Sequence, residues 1–349
     1  MNNASFASKS IWNEYPMAYF IFKSAFSTTI LPLFILANYC IIIISPQNYK
    51  RLKWFIYIHF ICASIEWICN WLLIDTHDFE PSVFLRIDGI LKYIIDSAVL
   101  FRVACVVECI TDISALFLFY NRLLLIFNMY RQRNSAVRQF LEVLFYILAV
   151  IFCIWSLPST LASIPSDQNM TKFLIMTMLQ NDVIYPDCIK NAYSVVTCDP
   201  RLGSKVSGAE VTIGSWILIA VAIIISAETS YWLMDRRIKN KMSEATKKIH
   251  RKFSYRTMKQ SSIYVLFAVV PRIIVFLSIL FGVQIYGASN LADFLTENHP
   301  TSCIVSLFLF YDPYQNYLLR IYKKSPENTQ KSKVSSVERA AISKVYNLV

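Results

Sequence analysis

The chain has 349 residues, 56% of them hydrophobic and only 16% charged, with 34 basic against 23 acidic residues and a formal net charge of +11. Nine scattered cysteines and six glycines exclude a disulfide-knit scaffold and leave little material for a glycine-rich phosphate loop. The basic excess would suit nucleic acid, but its distribution along the chain points to a membrane face instead.

Seven apolar stretches, at 24–44, 54–74, 99–126, 140–161, 211–232, 261–286 and 301–319, each approach the length of about 20 residues that a helix needs to cross a bilayer. The fold class expected is therefore all-α, a seven-transmembrane helix bundle spanning 19–322, with a short extracellular segment 1–18 and a disordered cytoplasmic tail 323–349. Segments 45–53, 127–139, 233–260 and 320–349 hold 23 basic and four acidic residues, whereas 1–18, 75–98, 162–210 and 287–300 hold seven basic and 13 acidic. Short cytoplasmic loops carry the lysine and arginine excess, so the amino terminus is expected outside and the carboxyl terminus inside. The basic face then meets anionic lipid and cytoplasmic partners, and nucleic-acid binding is not expected. The sequons at Asn3 and Asn169 fall on the outer side, where glycosylation occurs. No cleavable signal peptide or lipidation signal is expected, the first span serving as its own insertion signal.

In chain order, the first charge inside a span is Glu66, midway along the second. The third span is the richest: Glu108, Asp112, Ala115, Phe119 and Arg122 follow one another at spacings of 4, 3, 4 and 3, which puts them on one helix face. Carboxylates facing lipid are costly, so this face should point into the bundle, either as a ligand-facing acid above a switch arginine or as a polar lock between helices. Arg102, on another face, is expected to reach outward. In the outer loop 162–210, Cys188 and Cys198 lie in an oxidising compartment; they pair with each other, or one bonds to a helix top near Cys303 or Cys105. The other seven cysteines read as small apolar packing residues. Glu228 lies near the inner end of the fifth span, and Arg272 follows Pro271 halfway along the sixth, a kink or a hinge beside a buried cation. The four histidines read as isolated surface or interfacial residues. No metal-ligand spacing or nucleophile motif appears, so neither an enzyme nor a cofactor is expected. Ser325, Ser332, Ser335 and Ser336 in the tail are phosphorylation candidates.

Phe119-Tyr120-Asn121-Arg122 stands where G-protein-coupled receptors carry an acidic-arginine-aromatic motif. Leu31-Pro32, Tyr39-Cys40-Ile41, Ser45-Pro46 and Lys53-Trp54 in and after the first span, with His299-Pro300 and the run Pro313-Tyr314-Gln315-Asn316-Tyr317 in the last, resemble the nematode serpentine chemoreceptors of class H and their relatives. There are departures: Asn121 replaces an acid, Gln315 replaces an arginine, and Ser97 stands where the third helix commonly starts with a cysteine. The seventh span lacks the lysine an opsin needs. The resemblance implies a chemosensory receptor at the plasma membrane of sensory-neuron cilia. It would bind a small odorant or pheromone-like ligand with Glu108, Asp112 and Arg272, and couple to a heterotrimeric G protein through Arg122, Asn121, Pro313, Tyr314 and the basic loop 233–260. The competing class is a seven-helix ligand-gated channel or a transporter. A transporter would more often show internal repeats, and none is evident at half length. An insect odorant-receptor channel would place the amino terminus inside, with the basic residues on the wrong face.

Overall fold

The computed structural model describes residues 16–45, 50–78, 84–129, 136–152, 155, 157–178, 188, 195–197, 208–238, 255–281 and 288–323. Helix α1 (Met17–Tyr39) and helix α2 (Lys50–Ile68) each run on into a π turn, Cys40–Ile44 and Cys69–Leu73. Strands β1 (Thr76–Asp78) and β2 (Phe84–Ile87) follow, then the longest helix, α3 (Ser97–Met129). Helices α4 (Ala136–Ile151), α5 (Leu157–Ala162) and α6 (Gln168–Met178), strand β3 (Val195–Thr197) and helix α7 (Gly208–Ile238) come next. The sixth segment is helix α8 (255–264), a π turn Val265–Val269 and helix α9 (Val270–Phe281). Helices α10 (Ala288–Glu297), α11 (His299–Phe310) and α12 (Asp312–Lys323) complete it.

Among the described residues, Met17–Ile44, Leu52–Leu73, Ser97–Leu124 and Gly214–Trp232 are helices long and apolar enough to cross a membrane. The outward surface is what lipid requires, with Ile35, Ile58, Ile110, Ile147, Ile225 and Leu266 all exposed. Inside, two apolar clusters divide the bundle. Phe34 of α1, Phe60 and Trp67 of α2, and Ile304 and Phe308 of α11 form one, with Phe34 stacked on Trp67 at 4.2 Å. Phe119 and Tyr120 of α3, Phe145 of α4, Ile223 of α7 and Tyr264 of α8 belong to the other, with Tyr120 stacked on Phe145 at 3.8 Å. Since α3 borders both clusters, its polar face lies where they meet.

Several boundaries differ from expectation. The first helix starts at Met17 rather than near 24, so Lys23 lies inside it and is only 2% exposed. In the fourth span α4 ends at Ile151 and α5 begins at Leu157, with Phe152 and Trp155 between them in π-helical conformation. The seventh breaks at Tyr311, whose backbone is extended (φ −105°, ψ 108°). Pro313 has no N–H for the carbonyl of Leu309, so one continuous helix cannot be completed there.

The addition to an all-α bundle is a small antiparallel sheet of order β1-β2-β3, pairing His77 with Arg86 and Leu85 with Val196. It lies in the segments beyond the spans, where water can satisfy the edge groups that lipid cannot. Ile74, Leu85, Ile87, Leu100 and Val196 pack beneath it. Gly89 closes the turn against α2, and a Cβ there would lie 2.3 Å from the Leu73 carbonyl oxygen, leaving room for glycine alone. Asp75 adopts a left-handed backbone (φ 47°), a conformation aspartate tolerates better than most residues. Its carboxylate accepts a hydrogen bond from Lys23, which also pairs with Glu297 at 2.7 Å. One buried ammonium thus ties α1 to the end of α2 and to the helix before the seventh segment.

His77 is buried in this cap against the rings of Tyr19 and Phe20. Burial, with Arg86 adding to it, lowers its pKa from 6.5 to about 4. A base whose folded pKa is depressed favours folding while neutral, and that contribution is lost as pH falls from 6.5 towards 4. Protection factors of the Phe84–Ile87 amides, taken against the intrinsic base-catalysed rate at each pH, should therefore fall as pH drops through this interval, and His77→Phe should flatten the dependence. An unchanged pH profile in the variant would remove His77 as its source.

Candidate functional site

Pro271 lacks the N–H that would bond the carbonyl of Phe267, and that carbonyl belongs to the π turn Val265–Val269. The turn absorbs an extra residue. Tyr264 and Arg272, eight positions apart, therefore stand about two turns apart and reach the same face. Both meet α3. The Arg272 guanidinium donates from Nη1 to Asp112 Oδ1 and Oδ2 at 3.3 and 3.2 Å, and its Nη2 is paired with Glu108. The Tyr264 hydroxyl donates to Asp112 Oδ1 at 2.5 Å. The indole of Trp216, on α7, lies 5.4 Å from the guanidinium carbon, a cation–π contact. The three residues expected to form the ligand site, Glu108, Asp112 and Arg272, are thus brought together as an interhelical ion cluster. Arg272 and Asp112 are buried, whereas the Glu108 side chain remains 31% exposed.

Deeper in the bundle the polar chain continues. His299 Nδ1 is 3.3 Å from Glu66 Oε1, which joins the second and seventh segments. His59 Nδ1 meets Ser114 Oγ at 2.8 Å, and Ser114 donates to the Thr111 carbonyl at 2.6 Å. These histidines are buried, against the surface position expected for them, because each finds a polar partner on a neighbouring helix. His77 is buried likewise, and His250 lies outside the described residues. Below Tyr264 is a cavity of about 30 Å³, bordered by His59, Phe119, Gln260, Cys303 and Ser306. That is room for about two waters.

Towards the C-terminal end of α3, Arg122 is 1% exposed, donates to the Tyr311 hydroxyl and lies 5.2 Å from the Phe119 ring and 5.7 Å from that of Tyr311. Among the described residues no carboxylate pairs with it. Asn121 turns back, its Nδ2 donating to the Phe117 carbonyl of its own helix at 2.8 Å, so it takes no part in holding Arg122. Tyr314 shares a hydrogen bond of 2.7 Å with Ser45, and Pro313 occupies the second position of α12. Arg256 clasps Asp312 with two hydrogen bonds, one of them 3.0 Å, fastening α8 to the start of α12.

The remaining expectations divide. Arg102 reaches the segment after α5 and donates to the carbonyls of Ile164 and Pro165 at 3.1 and 3.5 Å. Glu228 is exposed on α7 and does not join the cluster. Asn169 is exposed at the start of α6, while Asn3 and Cys198 lie outside the described residues, and with them the pairing of Cys188 with Cys198. Sequence reasoning misses Tyr264, which joins the face of Arg272 only through the π turn, and Tyr311, which stands at a helix break. It also misses Lys23, which lies just before the expected first span and is drawn inside by the two carboxylates of the cap.

The family described as serpentine type 7TM GPCR chemoreceptor Srh matches residues 14–324 of the chain. No curated protein matches it.

Removing one partner from a buried ion cluster leaves the others uncompensated, at a cost of about 3–5 kcal/mol. Arg272→Ala should therefore lower the thermal stability of the purified protein sharply, and adding Glu108→Gln and Asp112→Asn should recover much of the loss. If the single and triple variants melt alike, the cluster is not what holds the third and sixth segments together.

Proposed function

Since the chain belongs to the Srh family of serpentine seven-transmembrane chemoreceptors, we propose that it binds a small ligand between its helices and activates a heterotrimeric G protein. The observation that carries this reading is that α3 bears a solvent-reaching ion cluster at Glu108 and Asp112 and a buried arginine at Arg122. The ten residues from Asp112 to Arg122 correspond to about 15 Å of helix. Both ends make their principal contacts with the sixth and seventh segments, Arg272 and Tyr264 above and Tyr311 below.

A ligand that takes over contacts from Arg272 favours an arrangement in which the sixth segment is released from α3, and the shift is bounded by its differential affinity for the two states. The π turn and Pro271 supply a place for that segment to pivot. At the inner end the same motion separates Tyr311 from Arg122. The freed guanidinium is then a donor for a cytoplasmic partner, beside the basic loop 233–260. Asn121 plays no part in this, whereas Pro313 and Tyr314 position the break at Tyr311. The amino terminus faces outward and the carboxyl terminus the cytoplasm, in the plasma membrane of sensory-neuron cilia, with Asn3 and Asn169 as the glycosylation sites and Cys188 and Cys198 as the outer-loop disulfide.

In cells that deliver the protein to the surface, an odorant panel should evoke a second-messenger response that Arg122→Ala abolishes. Tyr311→Phe, which removes the hydroxyl that Arg122 holds at rest, should raise signalling without ligand. A ligand-evoked current that persists without G protein would replace this reading with a channel. Asn169→Gln should remove one glycan from the surface-delivered protein; an unmodified Asn169 would reverse the assigned topology or place the loop beyond the modifying enzyme.

A further inference from the structure

The charges around Arg272 do not balance. Three carboxylates, Glu66, Glu108 and Asp112, act on one guanidinium. Two of them are bonded to it, but Glu66 is not. Glu66 is 1% exposed, and among the described residues no N–H donates to either of its oxygens. The nearest nitrogen, His299 Nδ1, is 3.3 Å away and also faces the Thr296 carbonyl at 3.1 Å. A carbonyl can only accept, so the geometry directs the Nδ1 proton to Thr296 and leaves the carboxylate facing the Thr111 hydroxyl, whose proton is shared with the Val107 carbonyl at 3.1 Å. A buried carboxylate in that condition is costly in the middle of a membrane, and it calls for a cation.

A metal ion does not fit the spacing, for among the described residues no three acidic, imidazole or thiol groups come close enough together to hold one. An organic cation spreads its charge over a larger body and tolerates that spacing. Of the three acids Glu108 alone is partly exposed, its side chain 31% against 2% for Asp112 and 1% for Glu66. The small cavity lies one helical turn from the anchor, bordered by Ala63, one turn before Glu66, and by Cys303, one turn after His299, with Ile304 and Phe119 as apolar wall.

We propose that Glu66 anchors the headgroup of a small alkylammonium ion between the second, third and seventh segments, with its alkyl chain in the cavity bordered by Ala63, Cys303 and Ile304. The Arg272 pair with Asp112 and Glu108 is the gate beside it, and the acid excess selects cations over neutral or anionic molecules of equal shape. This deepens the receptor reading above and rests on it for its physiological meaning, but not for its test.

The test uses the full-length protein in lipid nanodiscs, its melting temperature followed against concentration of n-propylammonium, n-propanol and butyrate, together with methylammonium and hexylammonium. Ligand that binds only the folded state raises the midpoint with concentration. Propylammonium and methylammonium should do so, hexylammonium less because the cavity holds only about two waters in this state, and the alcohol and carboxylate not at all. Glu66→Gln removes an uncompensated charge, so the unliganded variant should melt no lower than the wild type, while its ammonium affinity falls about tenfold or more. The proposal is overturned if no ammonium ion shifts the midpoint, which would mean that Glu66 holds a proton only. It is equally overturned if the alcohol shifts it as much as the ammonium ion, or if Glu66→Gln keeps the full shift. The two readings fail separately. Glu66-dependent ammonium binding with no second-messenger response sinks coupling and leaves the site. A response to neutral odorants without ammonium binding sinks the site and leaves the receptor.

Discussion

Arg272 is held between two carboxylates of the third helix, and for the buried pair it makes with Asp112 neither lipid nor bulk water can substitute. Lipid offers no hydrogen bond to a stranded charge, and the apolar effect that drives soluble cores is absent between helices already surrounded by hydrocarbon. Polar contacts therefore have more to decide in this bundle than apolar ones. The rotation of the sixth segment about its axis follows from the need to bring Arg272 and Tyr264 together onto Asp112, and the π turn is the local deformation that permits it. The aromatic stacks of Phe34 on Trp67 and Tyr120 on Phe145 then fill the space on either side of α3.

The same rule organises both ends. At one end, Lys23 draws Asp75 and Glu297 to itself and ties the first segment, the end of the second and the helix before the seventh together under a sheet that hydrocarbon could not accommodate. At the other end, Arg122 has a hydroxyl and two aromatic faces in place of a carboxylate. A neutral partner holds a guanidinium less firmly than an anion does, so the Arg122 contact is weaker than the Arg272 cluster. A single rigid helix joins a strong charged contact to a weak neutral one, an arrangement in which rearrangement above is felt below.

Much of the site is legible in the amino-acid sequence. The 4-3-4-3 spacing places Glu108, Asp112 and Arg122 on one face because a helix admits no other arrangement, and the expense of charge in lipid turns that face inward. Arg272 stands out for the same reason. Tyr264 does not, because eight residues of regular helix would carry it well off the face of Arg272. His59 and His299 look peripheral in the sequence, since an imidazole shows no sign of its environment until Ser114 and Glu66 are brought against it. Asn121 sits in the expected motif, yet its amide finds the Phe117 carbonyl one turn back and leaves the arginine alone.

What the sequence determined by itself was the solvent: apolar runs of membrane-crossing length and a one-sided distribution of lysine and arginine require a multi-pass helical protein, because backbone polar groups in hydrocarbon must be satisfied within each segment. It also determined which residues would be expensive in that solvent. Which of them meet was decided only in three dimensions. The pairing of Arg272 with Asp112 and Glu108, of Lys23 with Asp75 and Glu297, and of Arg122 with Tyr311 depends on π turns, a proline break and helix rotations. Those adjustments arise from satisfying buried charge across helices far apart in the chain, and periodicity within any one of them carries no record of it.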